Sequence, residues 1–165
     1  MITLYLDMDG VLADFNKSYT RLKTHAPDGK RFRAAVMEHK IFETLDFMPD
    51  TQELLNHVGK LHGIHIEILT SLGTFEPLQG EEAKMQKLRW LNDKNIPYKA
   101  NFVRSKEEKS KYATPTSILI DDSVGCISPF IAKGGHGILH TNASETNSIL
   151  DSLILQIRAL DALRS

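Results

Sequence analysis

The chain is poor in several things, and each shortage excludes something. It has one cysteine among 165 residues, Cys126, so no intramolecular disulfide can form. No apolar run approaches the ~20 residues that a membrane-spanning helix needs. Charge of one sign is also missing: 20 lysines and arginines face 21 aspartates and glutamates, for a formal net charge of −1. No global field therefore draws the chain to nucleic acid or an anionic membrane, extended nucleic-acid binding is not expected, and any phosphate must be recognised locally. The seven histidines show no ligand-like spacing, since His62 with His65 and His136 with His140 only flank strand-like runs, which argues against zinc. The stretch "AKGGHG" lacks the GxxxxGK[ST] pattern of a phosphate loop and reads as a helix end turning into a strand. Met1 runs directly into a strand-like segment with no basic leader, so a cytoplasmic location is expected.

What remains is a chain that is 41% hydrophobic, enough for one compact domain with a small insertion. Short apolar runs at Ile2–Leu6, Ile64–Leu69, Asn101–Val103, Ser117–Ile120 and Gly137–Leu139 read as strands. Between and after them, residues 51–61, 81–92 and 144–163 carry apolar side chains at helical spacing. Strands alternating with helices predict an α/β fold: a parallel sheet covered on both faces, because parallel neighbours need crossover connections. Residues 16–48 break this rhythm. They hold no strand-like run and contain the loop signal Ala26-Pro27-Asp28-Gly29, so the expectation is a small helical insertion at 16–48 and a core domain formed by 1–15 and 49–165.

In an open α/β sheet, ligands bind beyond the carboxyl ends of the strands, so what each strand carries there matters most. The first strand delivers Asp7 and Asp9, the second Thr70 and Ser71, and the fourth Asp121 and Asp122, while Lys106, Lys109 and Lys111 lie between the third and fourth. Clustered carboxylates repel one another unless a cation or a proton relieves them, and an all-oxygen donor set suits Mg²⁺ together with a substrate phosphate. One aspartate could then attack phosphorus while another carries a proton. Asp14, further along the same segment, reads as a structural residue of the turn. Phe42 and Phe47 read as core of the insertion or its hinge, and Cys126 as a small buried hydrophobe.

The motifs "DMDGVLAD", "ILTS", a lysine, and "ILIDD" occur in that order from Asp7 to Asp122. This order resembles the haloacid dehalogenase (HAD) superfamily of phosphohydrolases, and within it the 5'(3')-deoxyribonucleotidase group. The resemblance implies a Rossmann-like sheet with a small helical cap inserted after the first strand, and Mg²⁺-dependent hydrolysis of a small-molecule phosphomonoester through an aspartyl-phosphate. The expected substrate is a (deoxy)nucleoside monophosphate. Carried over by residue, Asp7 is the nucleophile and Asp9 the general acid/base. The metal ligands are Asp7, the backbone carbonyl of Asp9, and Asp121, with Asp122 close behind. Thr70 binds the transferring phosphoryl group, and Ser71 either assists it or caps. Lys111 has the spacing to Asp121 that the nucleotidase pattern favours, with Lys106 and Lys109 as alternatives on the same segment. Two other readings stay open: a phosphatase of a sugar phosphate or a 3'-phosphorylated nucleic-acid end, and a receiver-like phospho-acceptor module.

Overall fold

The computed structural model describes residues 1–164. Five parallel strands, β1 (Ile2–Leu6), β2 (Ile64–Ser71), β3 (Ala100–Val103), β4 (Ser117–Asp121) and β5 (His136–Leu139), form one sheet in the order β3-β2-β1-β4-β5. Register runs through Leu6 opposite Ile68 on one side and Ile120 on the other. The chain builds outward from β1 in one direction and then returns to add β4 on its other side. That reversal places the topological switch point between β1 and β4, where open α/β sheets leave a crevice.

Alternation along the strands gives the sheet two apolar faces, as parallel sheets require. Leu4, Leu6, Ile118 and Ile120 enter the larger core with Leu54 and Val58 of α3 (Thr51–Val58), Trp90 of α4 (Pro77–Asp93), and Leu150 and Ile154 of α6 (Ala143–Arg164). Leu119 and Leu69 point the other way, onto Cys126, Ile127 and Phe130 of α5 (Val124–Ala132). Of helix α5 only the end, in "AKGGHG", is expected from the sequence, because Gly125, Ser128 and Pro129 interrupt its apolar spacing. Helix α4 starts at Pro77, ahead of the expected residue 81, since the Glu76 carboxylate accepts from the Leu78 amide and Pro77 suits the first helical turn. Asp50 precedes α3 without capping it; its Oδ2 accepts instead from the Ala143 amide at 2.6 Å and so caps α6. Among the described residues, no helix is long and apolar enough to cross a membrane.

Between β1 and α3 the chain forms α1 (Phe15–Thr20), α2 (Arg31–Met37) and two single 3₁₀ turns, at Asp28–Lys30 and Ile41–Glu43. The two ends of this segment are held together by backbone bonds, Asp14 N–H to Asp46 C=O at 2.8 Å and Met48 N–H to Leu12 C=O at 3.1 Å. Asp14 also caps α1, accepting from the Lys17 amide at 3.2 Å, the structural role expected of it. The segment does not stand apart from the sheet, because Ala35, Val36, Ile41, Phe42 and Leu45 are buried in the larger core. Helix α4 grips it through side chains: Trp90 donates its indole N–H to Leu45 C=O at 2.7 Å, and Gln86 donates to Val36 C=O at 2.8 Å while accepting from the Phe42 amide.

Candidate active site

A cavity of about 370 Å³ opens at the carboxyl end of the sheet, over the switch point. Asp7, one residue beyond β1, and Asp121, the last residue of β4, reach it from adjacent strands, with the Asp7 amide held by Ile120 C=O at 3.0 Å. The carboxylates of Asp7, Asp121 and Asp122 offer oxygens that all lie within 4.8 Å of one another. Asp121 is fixed further by the Ser123 amide, which donates to its Oδ1 at 2.9 Å.

Gly10 shapes this corner. Its φ is +87°, a conformation that L side chains rarely adopt, and a Cβ there would lie 2.0 Å from Asp122 Oδ2. Glycine thus allows the loop after β1 to turn and Asp122 to approach it.

One lysine ties the acids together, and it is Lys109. Its Nζ donates to Asp7 Oδ1 at 2.8 Å and to Asp121 Oδ2 at 2.7 Å, and its side chain is buried. Lys111, which the sequence spacing favours, is 74% exposed and lies 4.0 Å from Glu108. The reason is local geometry. Residues Glu107–Tyr112 form a 3₁₀ helix, in which side chains three apart eclipse one another. Lys106 and Lys109 therefore share the face that lines the cavity, and Lys111 falls on another. Lys106 reaches the Ser123 hydroxyl, at 3.4 Å.

The electrostatics leave negative charge in excess. Burial pushes the Asp7 carboxyl well above the usual carboxylate range against the pull of Lys109, and the neighbouring Asp121 and Asp9 add to the rise. Asp122 is also raised, by burial first and by Asp121 second. Burial works against the Lys109 ammonium, but Asp7 and Asp121 more than offset it, so Lys109 stays charged. Burial drives the Cys126 thiol up to about 12, which leaves it un-ionised and inert at neutral pH. One ammonium against three clustered carboxyls is a site that a hard cation would complete. Carboxylate oxygens are the donors that Mg²⁺ takes, so Asp7, Asp121 and Asp122 fit that ion.

The remaining expected residues fall on the β2 side. The Asp9 carboxylate is not part of the acidic cluster, because its Oδ2 accepts from Lys87 Nζ at 3.1 Å. Thr70 is buried and its hydroxyl accepts from the same ammonium at 2.7 Å. Ser71 lines the cavity, and its hydroxyl accepts from the Gly73 amide. Lys87 itself escaped the sequence reading, although a signal was present. It sits between Ala83 and Leu91 on the buried stripe of α4, where an unpaired lysine would be costly. A second hollow of about 360 Å³ shares Asp9, Phe15, Ser71 and Lys106 with the first, and Phe32, Phe42 and Phe75 add aromatic walls. Arg104 stacks its guanidinium 5.4 Å from the Phe75 ring at its rim. Phe42 is thus both core and wall, whereas Phe47 packs edge-on against Trp90, away from the site.

No family model matches the chain, and no curated protein matches it significantly. Solved structures do. A hydrolase from Streptococcus pneumoniae TIGR4 is similar over 90% of this chain and 97% of its own, with a TM-score of 0.56 and 15% identity. A hydrolase from Pseudomonas syringae is similar over 83% of this chain and 82% of its own, at TM-score 0.52 and 13% identity. A D,D-heptose 1,7-bisphosphate phosphatase from Burkholderia thailandensis gives TM-score 0.49 at 13% identity over 90% of this chain and 85% of its own. At these identities the likeness is one of fold: a five-stranded parallel sheet flanked by helices, Rossmann-like in arrangement, shared with solved hydrolases.

Proposed function

We propose that the chain is a Mg²⁺-dependent HAD-type phosphatase that hydrolyses a phosphomonoester through an aspartyl-phosphate on Asp7. The observation that carries this reading is the meeting of Asp7, Lys109 and Asp121 at the switch point, with Asp122 beside them and a cavity above. A bound Mg²⁺ would supply electrophilic stabilisation of phosphoryl oxygens and relieve the repulsion among the acids. Every other task falls to the chain. Lys109 holds Asp7 Oδ1, which leaves the other carboxylate oxygen for in-line attack on phosphorus. As charge develops on the phosphoryl oxygens, Lys109 sits close enough to stabilise it, taking the role that spacing suggested for Lys111. Asp9, on the cavity wall, gives a proton to the departing alkoxide and then takes one from the water that releases phosphate from Asp7. Ser71 lines the phosphoryl pocket from the β2 side with Thr70 buried behind it, and the segment at 16–48 is the cap that covers it.

For the substrate we favour a (deoxy)nucleoside monophosphate, in line with the resemblance to the 5'(3')-deoxyribonucleotidase group. The aromatic hollow supports this: Phe15, Phe32, Phe42 and Phe75 offer flat apolar surface next to Asp9, sized for a planar group on the leaving side. The test is phosphate release from mononucleotides, sugar phosphates and 3'-phosphate oligonucleotides, with and without Mg²⁺. Turnover of mononucleotides that stops on chelation is expected. A long-lived stoichiometric phospho-adduct without continuous release would point to a receiver-like acceptor instead.

A further inference from the structure

We propose that Lys87 is a positioning residue of this site, acting through Asp9, an inference that rests on the phosphatase reading. The side chain of Lys87 is fully buried, yet each of its three ammonium protons has an acceptor: Asp9 Oδ2 at 3.1 Å, Thr70 Oγ1 at 2.7 Å and Ser71 C=O at 2.9 Å. A buried ion of this kind adds little net stability compared with a well-packed apolar residue, so its value lies in what it orients.

Two consequences follow from donor and acceptor chemistry. An ammonium only donates, so the Thr70 oxygen must accept, and the single Thr70 proton is left to donate elsewhere. With Oδ2 of Asp9 anchored, the carboxylate cannot rotate freely on the wall of the two hollows it lines. Among the described residues, Asp9 Oδ1 is one of two buried side-chain acceptors with no hydrogen-bond partner, and Asp9 lines both hollows. A buried acceptor without a partner, on a carboxylate whose other oxygen is fixed, is prepared for a ligand.

Lys87 also ties this orientation to the segment at 16–48. Its Nζ lies 4.5 Å from the centroid of Phe42, and the neighbouring Gln86 holds the Phe42 amide. One turn of α4 thus fixes both the proton-carrying acid and an aromatic wall of the hollow.

The experiment is a double-mutant cycle on phosphate release from a deoxynucleoside monophosphate, whose alkoxide leaving group needs the proton, with Mg²⁺, using Lys87→Met, Asp9→Asn and the pair, with thermal melts of each. General acid–base catalysis contributes about 10²–10⁴-fold, and losing its positioning forfeits part of that, so kcat should fall about 30-fold in Lys87→Met with KM changed less than about threefold. In the Asp9→Asn background the same change should cost less than about threefold, because the group it positions is gone. Lys87→Gln, smaller and uncharged, replaces Lys87→Met in the cycle if the latter does not fold. Equal losses in both backgrounds, or an unchanged kcat in folded Lys87→Met, would overturn the proposal while leaving the phosphatase reading intact. An inert wild-type protein would overturn both.

Discussion

Replacing Lys109 by methionine removes the one ammonium that bridges Asp7 and Asp121 while keeping the volume of the side chain. The bridge is short at both ends, 2.8 Å and 2.7 Å, and both partners are buried. Breaking a buried ion pair from one side costs about 3–5 kcal/mol, because a carboxylate is left desolvated without its counter-charge. Here the cost should lie near the lower figure, since Asp7 already holds a proton more readily than an ordinary carboxylate and can neutralise itself. For a domain of this size, about 3 kcal/mol corresponds to a melting temperature lower by about 6–12 °C. Activity should suffer more, as losing one donor to the developing charge costs about 10²–10³-fold in kcat. Lys111→Met is the control: on an exposed 3₁₀ face it should melt within about 2 °C of wild type and retain full turnover. Differential scanning calorimetry in a metal-free buffer, with phosphate release measured in Mg²⁺, reads both quantities. If Lys109→Met melted and turned over like wild type while Lys111→Met did not, the arrangement of the acids around Lys109 would be wrong.

Two further perturbations probe the frame around the site. Gly10→Ala meets a positive φ and the Asp122 carboxylate at once, so urea unfolding should show a loss of at least about 2 kcal/mol, with phosphate release reduced in parallel; an unchanged midpoint would refute the close approach. His140 is buried on Thr146, and burial lowers its pKa below the ordinary value despite the opposing pull of Asp50. The unfolded chain therefore binds the proton first, so stability is full above the unfolded pKa of about 6.5 and is lost as pH falls below it. Urea midpoints at pH 7.5 and 5.5 should differ more for wild type than for His140→Gln, and equal differences would contradict the assignment.

Much of the framework was legible because it depends on short-range signals. Apolar runs ending in Asp or Thr located β1, β2 and β4, and their carboxyl ends follow from the topology alone. The lysine was not legible to that degree. Choosing among Lys106, Lys109 and Lys111 requires knowing that the segment winds as a 3₁₀ helix, where a shift of two residues changes the face, and charged residues give no apolar stripe to reveal the period. Lys87 lay hidden for the opposite reason: its helix was recognised, but a lysine on an apolar stripe carries meaning only once Asp9 and Thr70 are known to lie beneath it. Helix α5 was legible only at its end, because glycine and proline mask a segment that the sheet itself orders. Of the aromatic walls the sequence singled out Phe42 but not Phe15 or Phe75, since these residues come together only through tertiary packing.

The central claim is that Asp7 carries the phosphoryl group. An acyl phosphate can be trapped by rapid quench during turnover, reduced with borohydride to the alcohol, and located by peptide mass spectrometry. The account predicts homoserine in place of aspartate at residue 7, absent without substrate and absent in Asp7→Asn, which should also release no phosphate. Reduction at Asp9, Asp121 or Asp122 instead, or full turnover by Asp7→Asn, would contradict it.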